Sequence, residues 1–370
     1  MSSFFHFARL MIPGSKIRHP IQSLSLPAAG RNGNIFPSKR FLISEYAKNR
    51  KKKIRKKCEV LMYSNTQELI QQFSRLCHHA LMAEVSATPK PGLVDLHDSG
   101  AHSDMNFDTF CASSDAIAPW ITKMFETGLS WPHTDRSGLF PAIRTLGIEA
   151  EKAMFAATNG VNTHKGMIFS MGILSASAGF LFAQTHQFHA ESILKNAGEL
   201  CRDLLEEDFQ KIDKKNPRTH GEILYVRFGV KGIRGEASLG FPAIRDIALP
   251  ALRQFSDKNL EVQTNEAYSG LTRPVTFSSP LENSARLNTL LSLMANVDDT
   301  NVLIRTSPEM LIYEKEAAQR ILDLGGAFTK QGLLELSLLN EEFIRLHLSP
   351  GGCADLLAVT ILLYDLEHII

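Results

Sequence analysis

Residues 166–185 read GMIFSMGILSASAGFLFAQT, a stretch with no charged side chain. Length alone would let it cross a bilayer, for which a helix needs about 20 apolar residues. Its composition argues otherwise. Gly166, Gly172 and Gly179, with Ser170, Ser175 and Ser177, make it only moderately apolar, and no second such segment follows. A buried central helix fits better, with Gly172, Ala176, Gly179 and Ala183 forming a small-residue face for close helix packing. A helix without a polar face must be wrapped by others. The fold expected is therefore all-α, a compact multi-helix domain with its buried central helix near 166–185.

The flanking sequence supports this. Leu69, Phe73, Leu76, Ala80 and Val85 form one stripe of an amphipathic helix that stops before Thr88-Pro89. A second helical pattern runs through Phe107, Phe110, Ala118, Ile121 and Phe125, with a kink expected at Pro119. A third runs through Ile143, Leu146, Ala150, Met154 and Ala157. Only Ile223 to Phe228 resembles a short strand.

The 370 residues are 44% hydrophobic and 21% charged, which excludes a fibrous or wholly disordered chain. The five cysteines are scattered, with no C-x-x-C pair and no Cys/His spacing of a structural zinc site, and are read as those of a protein in a reducing cytoplasm. The net charge of +1 hides two unlike pieces. Residues 1–61 carry 14 Lys and Arg against Glu45 and Glu59, while the remainder carries 26 basic and 37 acidic side chains. The acidic remainder excludes a broad nucleic-acid surface there, and no membrane association is expected. Residues 1–61 have no long apolar core and many breakers, so they read as unfolded. A basic tail, an organelle presequence and a translated leader are the alternatives, the leader being favoured. The functional domain is expected over 62–370.

Chemistry is expected where helices are interrupted, because loops carry the polar groups a core cannot satisfy. Four interruptions stand out. In TPKPGLVD (88–95), followed by GAHSDM (100–105), two prolines clamp the backbone around Lys90, and Gly92 allows close approach. A cation is expected beside Asp95, His102 and Asp104. In GVNTHKG (160–166), glycines bracket Asn162, Thr163, His164 and Lys165 ahead of the uncharged helix, whose N-terminus favours an anion such as phosphate. Glu151 leads into that loop. GVKGIRGEA (229–237) surrounds Lys231, Arg234 and Glu236 with glycines, and its guanidinium suits phosphate. Finally DDTN (298–301), with Arg305 after it, offers Asp298 and Asp299 as hard oxygen donors for Mg²⁺. SPGGCAD (349–355) offers Ser349 as N-cap, Pro350 at the first helical position, and Gly351 and Gly352 opening a last helix over Ala354 to Glu367.

At these places the sequence resembles the triphosphoribosyl-dephospho-CoA synthase family, from about the first helix to the last. The matching segments are TPKPGLVD, GAHSDM, the run from Glu151 to Gly166 that ends in GVNTHKG, GIRGEA at 232–237, DDTN, and SPGGCADLLA at 349–358. Cys353 stands where that pattern commonly has serine, and residues 1–61 have no counterpart.

The resemblance implies an enzyme that joins the ribose C1 of ATP to a ribose hydroxyl of 3'-dephospho-CoA, releases adenine and keeps the triphosphate. The product would be the prosthetic-group precursor of an acyl carrier subunit in citrate lyase or malonate decarboxylase, with a functional link to a holo-acyl-carrier-protein synthase. Breaking an N-glycosidic bond builds positive charge on the ribose, so the site needs carboxylates, a base and a proton donor. Asp95, Asp104, Glu151 and Glu236 are available as carboxylates, with His102 and His164 to carry protons. Asp104 or His102 is expected as base, and Glu151 at ribose or metal. Lys90, Lys165, Arg234 and Arg305 are expected at the triphosphate, with Mg²⁺ near Asp298 and Asp299. Two other classes share these features. A phosphotransferase would release ADP, and a non-enzymatic CoA-nucleotide sensor would have no need of the carboxylates.

Overall fold

The computed structural model describes residues 65–132, 135–257 and 279–369, and among these all regular structure is helical. Residues 1–61, read above as a leader, lie outside the described residues. The chain opens with α1 (65–86), then α2 (Phe107–Ser130), α3 (Leu139–Ala157), α4 (Lys165–Thr185), α5 (Ala190–Gln210), α6 (His220–Phe228) and α7 (Gly232–Ser238). A π-turn, Ile244–Ala248, leads into α8 (Leu249–Asp257). After the undescribed stretch come α9 (Pro280–Asn296), α10 (Thr300–Arg305), α11 (Pro308–Asp323), a 3-10 turn at Gly326–Phe328, α12 (Lys330–Arg345) and α13 (Gly351–Glu367).

The uncharged stretch is the buried helix its composition required. α4 packs most extensively on α2 and is also contacted by α3, α5 and α13. The approach of α2 is close because both helices are notched by glycine. A Cβ on Gly128 would meet the Ala176 carbonyl, one on Gly172 would meet the Met124 sulfur, and one on Gly179 would meet the Phe125 carbonyl. Phe73 of α1 stacks on Phe125 with ring centroids 4.0 Å apart, so α1 covers the same core. We expect Gly179→Ala to cost about 1–3 kcal/mol, the range for forcing one extra carbon into a packed interior. Denaturant unfolding checks this, and wild-type stability would show that the α2–α4 contact can relax.

Two readings are corrected. Ile223 to Phe228 belongs to α6, not to a strand, because the ends of the segment are built for a helix. The Thr219 side chain accepts from the Glu222 N–H, and Gly229 at φ 71° closes the last turn through its N–H to the Tyr225 carbonyl. Four apolar residues without alternation could not override those caps. The last helix begins at Gly351 with Pro350 as its N-cap residue, so Ser349 is freed from capping. Pro119 lies inside α2, which is helical on both sides of it.

Candidate active site

The segment between α1 and α2 carries many charged and polar groups, yet its first part, Ala87 to Asp95, is buried except at Pro89. The Asn283 side chain clamps Thr88, accepting from its N–H at 3.1 Å and donating to its carbonyl at 2.8 Å. The Asp95 carboxylate accepts the N–H groups of Lys90 (3.0 Å), His97 (2.7 Å) and Asp98 (3.1 Å). Gly92, at φ 66°, lies against the Leu348 carbonyl and donates to Asn340 Oδ1 at 2.9 Å. With the backbone held this way, Lys90 turns inward. Its ammonium meets the carboxylate of Glu84, and the two residues are 1% and 2% exposed. Asp95 organises the loop through its backbone instead of reaching into the cleft. Burial is the main reason the Glu84 carboxyl is raised above its ordinary range, with Lys90 pulling it back down.

Glu84 and Lys90 form the floor of a narrow cleft of about 130 Å³. His102, Asn162, Thr163, His164, Lys165, Gly166, Arg305 and Gly351 also line it, so three of the four interruptions converge there. Asp355, the seventh residue of SPGGCAD, joins them. The carboxylate of Asp355 explains Gly166, since a Cβ at that position would collide with Asp355 Oδ2. Burial, followed by the neighbouring Glu84 and Asp299, pushes the Asp355 carboxyl well above the usual carboxylate range.

The two histidines are held differently. Thr163 Oγ1 donates to Ser113 Oγ at 2.7 Å, and Ser113 Oγ lies 2.6 Å from His164 Nδ1. With Thr163 donating to Ser113, a serine proton directed at Nδ1 leaves the His164 proton on Nε2. That Nε2–H has no partner, the residue is buried, and Phe110 packs edge-on against the ring at 4.8 Å. Burial, helped by Lys90, lowers the His164 pKa to about 3, so it is a neutral donor at working pH. His102 Nε2 lies 2.9 Å from the hydroxyl of Ser349, and Asp104 is 3.9 Å from its Nδ1. Burial and then Arg305 lower the His102 pKa, against Asp104.

A second, larger cleft of about 440 Å³ lies on the other side of the α10 and α13 N-termini. Glu236, Asp298, Asp299 and Gly352 line it, together with Lys231 and the apolar side chains of Val230, Ile233, Ile247 and Leu356. Glu236 accepts the Ala243 N–H at 3.0 Å. The wall between the clefts is tight. A Cβ on Gly351 would lie 2.9 Å from Asn301 Nδ2, and one on Gly352 would lie 3.0 Å from Asp299 Oδ2. Arg234, on α7, lines neither cleft. Glu151 pairs with Lys165 at 3.0 Å, and Asp104 is exposed near the mouth of the first cleft.

Asp298 and Asp299 do not fit a shared magnesium site. Asp298 is exposed and its Oδ1 lies 2.5 Å from Lys315 Nζ. Asp299 is buried and caps α10: Oδ1 accepts from Asn301 (2.7 Å) and Val302 (3.4 Å), and Oδ2 from the Cys353 N–H (2.8 Å). Adjacent residues at a helix start point apart, so the doublet divides into one solvent-facing charge and one cap. Among the residues that line the clefts, sequence reasoning passed over Glu84 and Asp355. It also passed over Ser113, the partner that sets the His164 tautomer. Each is a polar residue at an apolar helix position, a signal that was available.

The model of one protein family, described as ATP:dephospho-CoA triphosphoribosyl transferase, matches residues 70–370. A probable 2-(5''-triphosphoribosyl)-3'-dephosphocoenzyme-A synthase of Vibrio cholerae is 39% identical over 306 residues, covering 83% of this chain and 91% of that one. A protein of Pectobacterium atrosepticum with the same activity in its name is 38% identical over 286 residues, covering 77% and 86%. A probable synthase of Streptococcus mutans is 35% identical over 317 residues, covering 82% and 99%. No solved structure matches the chain.

Proposed function

The chain belongs to the ATP:dephospho-CoA triphosphoribosyl transferase family, and from that premise we propose how its narrow cleft divides the work of moving the triphosphoribosyl group of ATP onto dephospho-CoA. The observation that carries the reading is the convergence in one narrow cleft of the Asp355 carboxyl, raised by burial, and two imidazoles lowered by it, His102 and His164. The reaction breaks the bond between ribose C1 and adenine and forms a C1–oxygen bond to a hydroxyl of the acceptor. Adenine must gain a proton and the hydroxyl must lose one. Asp355 supplies the first. His102 takes the second, and Asp104 at 3.9 Å steadies the imidazolium.

Charge on the reacting ribose is met by carboxylates, and charge on the phosphates by donors and cations. Glu84 remains beside the ribose as the anion of its pair with Lys90. His164 Nε2–H is a fixed donor that needs no reorganisation, while Lys165 and Arg305 carry phosphate charge at the mouth. The larger cleft, with its apolar wall, suits the long pantetheine arm of the acceptor. Mg²⁺ is a companion of the triphosphate and not of the Asp298–Asp299 pair, and no step above depends on it. The phosphotransferase alternative gains less from this arrangement, because departing adenine needs an acid to protonate it and phosphoryl transfer to a hydroxyl does not.

The test is to incubate the full chain with ATP, Mg²⁺ and 3'-dephospho-CoA and separate the products by chromatography with mass detection. Free adenine and a triphosphoribosylated dephospho-CoA in equal amounts are expected. ADP in place of adenine would overturn the reading in favour of phosphoryl transfer. Unchanged ATP with tight nucleotide binding would point to a sensor.

A further inference from the structure

Behind the wall that separates the clefts, three residues from three different elements converge. Asp299 opens α10, Glu314 comes from the middle of α11, and Cys353 sits in the first turn of α13. All three are buried, Glu314 and Cys353 completely, and a ligand atom from each lies within 4.8 Å of the others. The decisive residue is Glu314. Neither of its carboxylate oxygens has a hydrogen-bond partner, although both are sealed from solvent. A fully buried carboxylate with no donor is strongly disfavoured unless a proton or a cation neutralises it. Burial and the Asp299 charge push its pKa up to about 9.

We infer that Asp299, Glu314 and Cys353 form a binding site for one divalent transition-metal ion of the zinc class. The donor set decides the class. A thiolate with two carboxylates suits Zn²⁺, whereas Mg²⁺ favours oxygen alone. Glu314 has both oxygens available. Asp299 accepts three backbone N–H groups, which leaves one of its roughly four lone-pair positions for a metal. The Cys353 sulfur lies within 4.8 Å of the Asp299 and Glu314 carboxylates, so a metal bound there takes the place of the thiol proton. Binding releases the protons of Cys353 and Glu314, and the ion cross-links α10, α11 and α13. None of the three residues lines the narrow cleft, so the ion takes no direct part in the transfer. Its role is to hold Asp299, and with it Gly352, at the wall of the larger cleft.

The test uses untagged full-length protein dialysed against zinc and then against zinc-free buffer, with metal counted by plasma mass spectrometry. About one zinc per chain is expected to remain. Glu314→Gln, which mimics the neutral acid and keeps its volume, is expected to lower retention at least about tenfold while circular dichroism stays that of wild type. Cobalt loaded in place of zinc should give sulfur-to-cobalt charge-transfer absorption that Cys353→Ser removes. Wild-type protein that is folded and retains no zinc overturns the inference. So does zinc that survives Glu314→Gln, because the ion then sits at other residues. Should either variant fold poorly, the wild-type melting temperature decides: it must rise on adding zinc, and an unchanged value overturns the site.

Discussion

Asp355→Asn is expected to lower the rate of adenine release by about 10²–10⁴-fold while leaving ATP binding within a few-fold of wild type, the range for losing a general acid. The substitution keeps the shape of the side chain and removes only the transferable proton. Asp355 lies where a Cβ on Gly166 would collide, at the junction of the two longest motifs. Among the described residues no hydrogen bond holds its carboxyl, which opens into the cleft. Its raised pKa comes from burial first, then from the anions at Glu84 and Asp299. The sign for activity follows directly. An acid that must be protonated works below its pKa, so the wild-type rate should fall as pH rises through that raised value. The Asn variant should lose this limb while retaining any dependence due to His102 on the acid side. Single-turnover adenine release across pH, with calorimetric binding of ATP, separates these effects. A rate within about threefold of wild type would remove Asp355 from the chemistry and pass the acid's role to another group.

Much of the molecule was legible in the sequence, for identifiable reasons. An uncharged stretch with spaced glycines has few options other than a close-packed central helix, and α4 is one. Loop motifs rich in glycine and proline announce themselves, and three of the four meet in one cleft. Groups whose meaning depends on a distant partner were not legible. Glu84 stands out as an acid on the apolar face of α1, but its partner is legible only once Lys90 turns inward to meet it. Glu314 sits in a helix of alternating charge, where nothing local says that its own face is sealed. The Asp298–Asp299 doublet looked like a pair because its members are adjacent, yet one caps a helix and the other joins Lys315. Adjacency in sequence is a poor guide to convergence at a helix N-terminus, where successive side chains point about 100° apart.

Lys90→Met is expected to destabilise the protein by about 3–5 kcal/mol at neutral pH, because it leaves Glu84 buried without its cation. Methionine fills the volume, so the loss is electrostatic. The pH dependence identifies the cause. Glu84 already has a raised folded-state pKa, led by burial, and removing Lys90 raises it further. A carboxyl whose folded pKa exceeds its unfolded value stabilises the fold fully below the unfolded pKa, and that contribution is lost as pH rises through the folded one. The variant should therefore come closest to wild-type stability in mildly acidic buffer and fall behind it as the solution becomes neutral and then alkaline. Adding Glu84→Gln to Lys90→Met removes the stranded charge and should restore most of the stability at neutral pH, which denaturant unfolding of the three proteins would measure. A double variant as unstable as the single one would assign the loss to packing. The same double variant also addresses function. If it is stable, binds ATP and still releases no adenine, then the buried pair contributes charge to the reacting ribose, a role that stability alone could not reveal.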